Sequence, residues 1–454
     1  MRPTKYKKYM AGFLLILVVG AALMHGAQLL SMGSAYKSKM LCSEIFVAGR
    51  EQGAVLDELI IDDLSALKSI SSTVDSETKT VTSSFYGFAK SKVQYRENGG
   101  CAVMSDIAYA IPPLVKNSNI NSIPGLEEQI ASEKSRLSEV VSNAFYEPDP
   151  EHPRRTRAVV IVHNGKIIAE RYSSGIDKYT PLLGWSMTKS VMNALVGVLV
   201  KDGYLSLDSF IDQRSWSRPN DLRKNITVRH LLNMTSGLEF NEKMSDPLAD
   251  VSRMILQEDN MAAFAANMPL EVEPGSRWQY SSGNTILLSD YIRRVLGDNE
   301  YFNFPNNVLF DRLHLKHAMI EMDASGTFVG SSFMYATARE WARFGVLYLQ
   351  SGIWEGEQLF PDDWLQYTLK PAPTNIEESY GAHFWLDIPE AYRGSEESIL
   401  PKNTFHAIGH EGQFITVVPS HNVVIVRLGK TRYSGAWEHD VFVSNVLDEL
   451  TEYN

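Results

Sequence analysis

The feature that most constrains the fold is a pair of strand patterns at the two ends of the region between residues 156 and 450. Near its start, apolar runs at Ala158–Val162 and Lys166–Tyr172 flank Asn164-Gly165, a pattern typical of a two-residue β-hairpin. Near its end, Gln413–Val418 and Val423–Leu428 form a second pair of predicted strands. We therefore expect one antiparallel sheet built from both ends of this region.

The residues between the two strand pairs are mainly helical in pattern, because their apolar side chains recur at helical spacing. The predicted helices, including one that closes the chain, are Val191–Val200, Val228–Met234, Ala249–Glu258, Asn284–Val295, Ala336–Leu349 and Trp437–Leu450. This order of strands, helices and strands predicts an α/β (α+β) fold. In that fold helices flank the sheet and a helical region is inserted between its strands.

The chain begins with the pattern of an exported protein. Four basic residues within the first eight positions precede an apolar run from Met10 to Met24, as in an export signal or a signal anchor. The stretch Tyr9–Tyr36 exceeds the roughly 20 apolar residues that a bilayer crossing needs. We expect an uncleaved inner-membrane anchor with its basic end in the cytoplasm, or a cleaved signal. Either alternative exports the remaining chain to the periplasm.

An N-terminal extension follows, in which no catalytic pattern is found. A helix is predicted at Glu127–Phe145, and the Pro-rich segment Glu147–Pro153 marks a boundary. The chain has two cysteines, Cys42 and Cys101, and both follow the export segment. In an oxidising compartment such a pair is expected to form a disulfide bond.

Ser186 and Lys189 form a Ser-x-x-Lys motif at the head of an apolar helix. A spacing of three places the hydroxyl and the amine on one face of the helix. A serine needs an adjacent base to act as a nucleophile, and a lysine can be that base, or tune another one, when its surroundings lower its pKa. The helix N-terminus also directs N–H groups toward a developing negative charge. Alone, this motif is common in unrelated proteins.

Tyr280 begins a second motif, Tyr280–Asn284, just before a predicted helix. A tyrosine near a cationic lysine can hold its phenolate form at a lower pH, which makes Tyr280 a candidate general base. The alternative is structural, with Ser282 and Asn284 as capping residues at a loop-to-helix junction. The sequence leaves open whether Tyr280 or Lys189 is the base.

The third motif, Gly409–Gln413, introduces a predicted strand. A glycine-flanked strand edge allows a substrate to approach closely, and a main-chain N–H group there can complete an oxyanion hole. His410 and Glu411 also begin a zinc-protease motif, but Phe414 stands where its second histidine belongs. The pattern therefore predicts no metal at this motif.

The order of the three motifs resembles that of the β-lactamase-related serine hydrolases. This family includes class C β-lactamases, D-alanyl peptidases, β-lactamase-fold esterases and 6-aminohexanoate-dimer hydrolases. The likeness extends from about Thr156 to Leu450 and includes the segment from Ile226 to Leu238. It implies a β-lactamase-like/DD-peptidase fold over residues 154–454, after an export signal or membrane anchor at 1–36 and an N-terminal extension at 37–153.

The resemblance also implies roles for the site residues. Ser186 is the nucleophile, Lys189 and Tyr280 activate it, and the backbone N–H groups of Ser186 and Gln413 hold the oxyanion. The residues expected to contact the substrate are His410, Gly412, Ser282 and Asn284. Neither a metal nor an organic cofactor is expected.

The chain departs from the class C β-lactamases at two positions. Those enzymes carry Asn two residues after the tyrosine, where this chain has Ser282, and a Lys-Thr-Gly strand where it has His410, Glu411 and Gly412. Loss of the strand lysine weakens the case for carboxylate-bearing β-lactams, because a cation there would pair with the carboxylate. Arg427 or Arg432 is the alternative source of that charge.

We therefore predict an exported serine hydrolase that cleaves a small ester or amide through an acyl-enzyme on Ser186. The alternatives are a β-lactamase or D-alanyl peptidase acting on cell-wall-type substrates, and a catalytically silent cell-wall binding module. An α/β-hydrolase is disfavoured because Thr188 stands where the motif Gly-x-Ser-x-Gly needs its last glycine. The formal net charge of −11 argues against a nucleic-acid partner.

Overall fold

The computed structural model describes residues 3–61, 65–106, 109, 111–112, 126–132, 134–211, 213–396 and 398–450. Its helices are α1 (Pro3–Cys42), α2 (Gln52–Ile61), α3 (Arg136–Asn143), α4 (Met187–Lys201), α5 (Val228–Leu232), α6 (Asp250–Gln257), α7 (Met261–Ala266), α8 (Ser282–Leu296), α9 (Asp298–Tyr301), α10 (Ala338–Leu349), α11 (Trp364–Thr368) and α12 (His439–Leu450). Its strands are β1 (Ile70–Asp75), β2 (Thr80–Phe85), β3 (Phe88–Arg96), β4 (Gly100–Val103), β5 (Glu127–Glu128), β6 (Thr156–His163), β7 (Lys166–Tyr172), β8 (Leu182–Leu183), β9 (Met319–Ile320), β10 (Met334–Ala336), β11 (Ile353–Trp354), β12 (Glu357–Gln358), β13 (Phe405–Gly409), β14 (Gln413–Val418) and β15 (Val423–Gly429).

The central sheet is built from both ends of the predicted region, in the order β13-β14-β15-β6-β7-β5. Strand β15 pairs antiparallel with β6, which joins the two predicted strand pairs into one sheet. Asn164 and Gly165 both have positive φ, +52° and +76°, as a two-residue hairpin turn between right-twisted strands requires. The predicted α/β architecture, with helices flanking the sheet, is confirmed.

Both faces of this sheet are covered by helices, which explains why its strands are continuously apolar. Along β6, Ala158, Val160 and Val162 belong to the large core that includes α4 and α10. The alternate residues Val159 and Ile161 pack in a second core with α3 and α12. Since successive side chains of a strand point to opposite faces, both sets must be apolar.

The N-terminal extension shares the large core with the rest of the chain. The C-terminal end of α1 packs on the four-stranded meander β1-β2-β3-β4. The buried Lys39 donates hydrogen bonds from Nζ to the Cys101 carbonyl and to Glu321 Oε2, both at 2.6 Å. The predicted helix at Glu127–Phe145 is shorter than expected, because Glu127 and Glu128 pair with β7 as an edge strand. Ser135 caps the remaining helix, α3.

The predicted membrane anchor finds no support in the structure. Among the residues whose placement is described, no helix has the length and hydropathy that a membrane crossing requires. The side chains of residues 1–12 and 15–17, which include the basic residues of the predicted signal, lie outside the described part.

The predicted disulfide bond between Cys42 and Cys101 is confirmed, with the two Cα atoms 6.0 Å apart and a sequence separation of 59. It joins the end of α1 to β4. Because closing a loop of this length lowers the entropy of the unfolded chain, the bond is worth about 2 to 4 kcal/mol. We predict that replacing both cysteines by alanine lowers the urea midpoint of unfolding.

Adding dithiothreitol should lower the midpoint of the unaltered protein to a similar extent and leave that of the double variant unchanged. Equal midpoints for the unaltered protein and the double variant would contradict this prediction.

Candidate active site

Ser186 lies at the N-terminal end of α4, in the large core. The residues of α4 from Met187 to Leu199 are all buried, so the helix is held on every side. Ser186 itself remains partly exposed. The Lys189 ammonium donates a hydrogen bond to Ser186 Oγ over 3.0 Å, so the two groups lie on one helical face, as their spacing predicts.

The Lys189 side chain is only 1% exposed. Its Nζ atom also donates to Ser282 Oγ and to the Ser331 carbonyl, each at 3.0 Å. Burial disfavours the charged ammonium and lowers the pKa of Lys189 to about 8, although the nearby Glu242 carboxylate acts to raise it. A lysine of this kind is partly neutral near physiological pH and can accept a proton.

Glu242 is the functional residue that the sequence did not reveal. It lies in the loop between α5 and α6 and accepts hydrogen bonds from the Ser282 backbone N–H at 2.7 Å and the Ser282 hydroxyl at 2.5 Å. Ser282 therefore links this carboxylate to the Lys189 amine. Glu242 stands in a polar loop beside Lys243, where its sequence neighbours resemble any solvent-exposed turn. Only the three-dimensional contact identifies it.

Tyr280 lies against Lys189, with the lysine Nζ 4.8 Å from the centre of its ring. Burial and the Glu242 charge raise the pKa of the Tyr280 phenol, and a hydrogen bond with Ser186 only partly opposes them. The expectation that Lys189 lowers the pKa of this phenol is therefore wrong for the described arrangement. Tyr280 is a proton donor in this state, and Lys189 is the better candidate for the base.

The Gly409–Gln413 motif forms the hairpin between β13 and β14, and it lies directly beside the Ser186 turn. A Cβ atom on Gly409 would come within 2.1 Å of the Gly184 carbonyl oxygen, so only glycine allows this approach. Gln413 pairs with Gly409 at the end of the ladder and is 2% exposed. Its amide side chain bonds to both the carbonyl and the N–H of Gly429. Its role in an oxyanion hole stays a prediction.

The two ionisable residues at this hairpin are a paired carboxylate, Glu411, and an uncharged imidazole, His410. Glu411 accepts a hydrogen bond from Arg432 Nε at 2.8 Å and one from Trp185 Nε1 at 3.4 Å. Burial would raise the pKa of Glu411, but the Arg432 charge brings it down to about 2. Burial also lowers the pKa of His410, so this imidazole is neutral at neutral pH.

Three further residues assigned to substrate contact have other partners. Asn284 is 1% exposed, and its Oδ1 accepts a hydrogen bond from Ser236 at 2.7 Å, so it lies in the core. Ser282 is buried between Lys189 and Glu242. The Gly412 N–H donates to the Tyr392 hydroxyl at 3.1 Å. Their predicted contacts with a substrate stay predictions.

A cavity of 820 Å³ opens beside the aromatic side chains around Tyr280. Trp385 lines it, and the ring of this residue is 5.5 Å from that of Tyr280. The cavity is acidic, since its charged lining residues are Glu377, Asp387, Glu390, Glu396 and Arg393. The single guanidinium, that of Arg393, donates to Asp387 at 2.6 Å. In the described part of the chain, no group of His, Cys, Asp and Glu side chains is placed to bind a metal.

Comparison with known proteins finds a matching family model and a similar enzyme. The family model described as Beta-lactamase matches residues 142–441. The 6-aminohexanoate-dimer hydrolase of Paenarthrobacter ureafaciens is 24% identical over 294 residues, which cover 60% of this chain and 72% of that enzyme.

Two solved structures share the fold. A putative 6-aminohexanoate-dimer hydrolase from Bacillus anthracis superposes with a TM-score of 0.59 at 20% identity, covering 74% of this chain and 89% of that one. EstCE1, a hydrolase with promiscuous acyltransferase activity, gives a TM-score of 0.52 at 17% identity, covering 69% and 97%. The family match spans most of the chain and includes Ser186, Lys189 and Tyr280; this protein belongs to the β-lactamase family and has the β-lactamase/DD-peptidase-like fold.

Proposed function

We propose that this protein hydrolyses a small ester or amide through an acyl-enzyme on Ser186. The observation that carries the proposal is the 3.0 Å contact between the Ser186 hydroxyl and the buried Lys189 amine. The lowered pKa of this amine, about 8, makes a neutral base available. Proximity to a base of matched pKa is what a serine nucleophile requires.

In the acylation step, neutral Lys189 accepts the proton of Ser186 while Oγ forms a bond to the substrate carbonyl carbon. The carbonyl oxygen becomes an oxyanion, and the Ser186 N–H at the start of α4 is one candidate donor to it. As the bond to the leaving group breaks, the protonated Tyr280 phenol donates its proton to that group. The Lys189 ammonium then returns a proton to Tyr280.

In the second step, water replaces the leaving group. Lys189, neutral again because it has passed the Ser186 proton to Tyr280, takes a proton from the water molecule that attacks the acyl carbon. The bond between Oγ and the acyl carbon then breaks, and the Lys189 ammonium returns the proton to Ser186 Oγ. No step needs a metal or an organic cofactor.

The choice of ester or amide substrates rests on the charges near Ser186. A β-lactam or a D-alanyl peptide carries a carboxylate, which a lysine on the neighbouring strand would bind. Here that strand has His410 and Glu411. Of the alternative cations, Arg432 pairs with Glu411, and the buried Arg427 donates to the Gly412 and Arg154 carbonyls. The relative named as a 6-aminohexanoate-dimer hydrolase supports a small amide substrate.

Two alternative functions would use the same site differently. A β-lactamase or D-alanyl peptidase would use the same Ser186 chemistry on a different substrate, and a silent cell-wall binding module would show no turnover. Export to the periplasm stays a prediction, and the disulfide bond between Cys42 and Cys101 supports it because such bonds persist in oxidising compartments.

We predict that a fluorophosphonate probe labels Ser186, and that Ser186→Ala abolishes both labelling and turnover of p-nitrophenyl butyrate. The physical reason is that, of the two hydroxyls that contact Lys189, that of Ser186 is partly exposed, whereas that of Ser282 is buried and bonded to Glu242. Peptide mapping by mass spectrometry locates the adduct. Ser190→Ala is the matched control, since this hydroxyl lies on the same helix and bonds to the His383 carbonyl; it should leave labelling intact. An adduct on another serine would refute the assignment.

We predict that kcat/KM for the ester rises with pH through a limb near pH 8, because Lys189 must lose its proton to act as the base. The Glu242 carboxylate favours the charged amine, so Glu242→Gln should move this limb to lower pH by about one unit. The measurement is a pH profile of kcat/KM for both proteins.

Glu239→Gln is the control for this profile, because Glu239 is an exposed carboxylate in the same loop and its replacement should not move the limb. A limb that stays in place in Glu242→Gln, or moves to higher pH, would contradict the assignment of Lys189 as the base.

We predict that kcat/KM is higher for p-nitrophenyl butyrate than for nitrocefin on the same preparation. A missing charge-assisted contact to the nitrocefin carboxylate costs about 2 to 3 kcal/mol in the transition state, which is roughly 30- to 150-fold in rate. A clear preference for nitrocefin would contradict the proposed ester or amide specificity and would favour a β-lactamase activity. Turnover of neither substrate, with no labelling of Ser186, would favour the binding module.

A further inference from the structure

A chain of polar contacts connects the N-terminal helix α1 to the residue that precedes the nucleophile. We propose that Tyr36 of α1 and Arg432 are positioning residues of the active site, which hold Trp185 and Glu411, and through them the Ser186 turn, in the reactive arrangement. This inference rests on the proposed function. It adds that Tyr36, which precedes the residues matched by the family model, helps to hold the active site in place.

The two residues that are held both have an unusual backbone conformation. Trp185 has φ +48° and Glu411 has φ +62°, in the left-handed region that residues with a Cβ atom seldom adopt. One directly precedes Ser186, and the other lies in the hairpin that packs on Gly184. Such conformations persist only where the surrounding contacts enforce them, and they are common at active sites.

The contacts that hold these two conformations form a continuous series from Trp185 to Tyr36. The Trp185 indole N–H donates to Glu411 Oε2 over 3.4 Å. Arg432 Nε donates to Glu411 Oε1 at 2.8 Å, and Arg432 Nη2 donates to the Tyr36 hydroxyl oxygen at 2.8 Å. Glu411 is 3% exposed. A buried carboxylate depends strongly on the direction of its cation, so the orientation of Arg432 decides where Glu411 and Trp185 lie.

Tyr36 can fix Arg432 because this end of α1 is itself fixed. The buried Lys37 ammonium donates to the Leu67 and Ile70 carbonyls at 3.1 and 2.6 Å. One turn further on, the disulfide bond of Cys42 ties the helix to β4. The family match begins at residue 142, so Tyr36 belongs to a part of the chain that the match does not include.

A purely structural role for Tyr36 predicts a different result from a positioning role. A structural hydrogen bond would change the stability of the protein but not the rate constant of each correctly folded active site. A positioning contact changes kcat per active site and leaves KM nearly unchanged, because the geometry of the attacking Ser186 is what deteriorates.

The test measures p-nitrophenyl butyrate turnover by the full-length protein, with active sites counted by fluorophosphonate titration. We expect Tyr36→Phe to lower kcat per titrated site by about three- to tenfold with KM changed by less than about twofold. The control is Ser38→Ala, which removes a hydroxyl of the same helix that bonds to Ser91 Oγ at 3.0 Å. It should leave kcat per site unchanged.

A double variant identifies the route of the effect. If Tyr36 acts through Trp185, then Tyr36→Phe should cause no further loss of kcat in a protein that already carries Trp185→Phe. Independent, multiplicative losses in the double variant, or an unaltered kcat per site in Tyr36→Phe, would overturn the inference while leaving the proposed function intact. Failure of the unaltered protein to be labelled or to turn over ester would overturn the proposed function, and this inference with it.

Discussion

The active site depends on the burial of one amine. Removing Lys189 from water lowers its pKa from 10.5 to about 8, which corresponds to about 3 kcal/mol against the charged form. The surrounding groups limit this cost. Ser186 and Ser282 provide hydroxyl oxygens, Ser331 provides a carbonyl, and Glu242 provides a negative charge through Ser282. The result is an amine with a pKa of about 8, so the neutral and the charged form that the proposed mechanism needs are both populated near neutral pH.

Two glycines and one helix determine where this amine acts. Because α4 is buried along its length, Ser186 and Lys189 cannot shift relative to the sheet without disturbing the large core. Gly409 then allows the β13–β14 hairpin to approach the Gly184 carbonyl, at a distance that any side chain would prevent. Ser186 therefore lies between the N-terminus of a buried helix and the edge of the central sheet, an arrangement that suits the proposed acyl transfer.

Local patterns in the sequence predicted the main elements and the contact between Ser186 and Lys189. Short-range patterns can be recognised without a structure, because they depend only on neighbours within a few residues. They include the Asn164-Gly165 turn, the apolar strands and the spacing of Ser186 and Lys189. The helix predicted at Glu127–Phe145 failed in part because a long-range contact, the pairing with β7, overrides its local helical pattern. Glu242 and Tyr36 escaped prediction for a related reason. Each joins the site from a distant loop or helix, and neither has a distinctive motif around it.

The same distinction explains why the substrate class was harder to predict than the chemistry. The sequence places Arg427 in the next predicted strand and Arg432 just after it, so either is a candidate for the missing cation. The structure shows that each guanidinium is held by acceptors of the protein, Arg427 by main-chain carbonyls and Arg432 by Glu411. A substrate carboxylate would have to compete with these partners at the cost of leaving a buried acceptor unpaired. These pairings support the proposal of an uncharged ester or amide substrate over a substrate that carries a carboxylate.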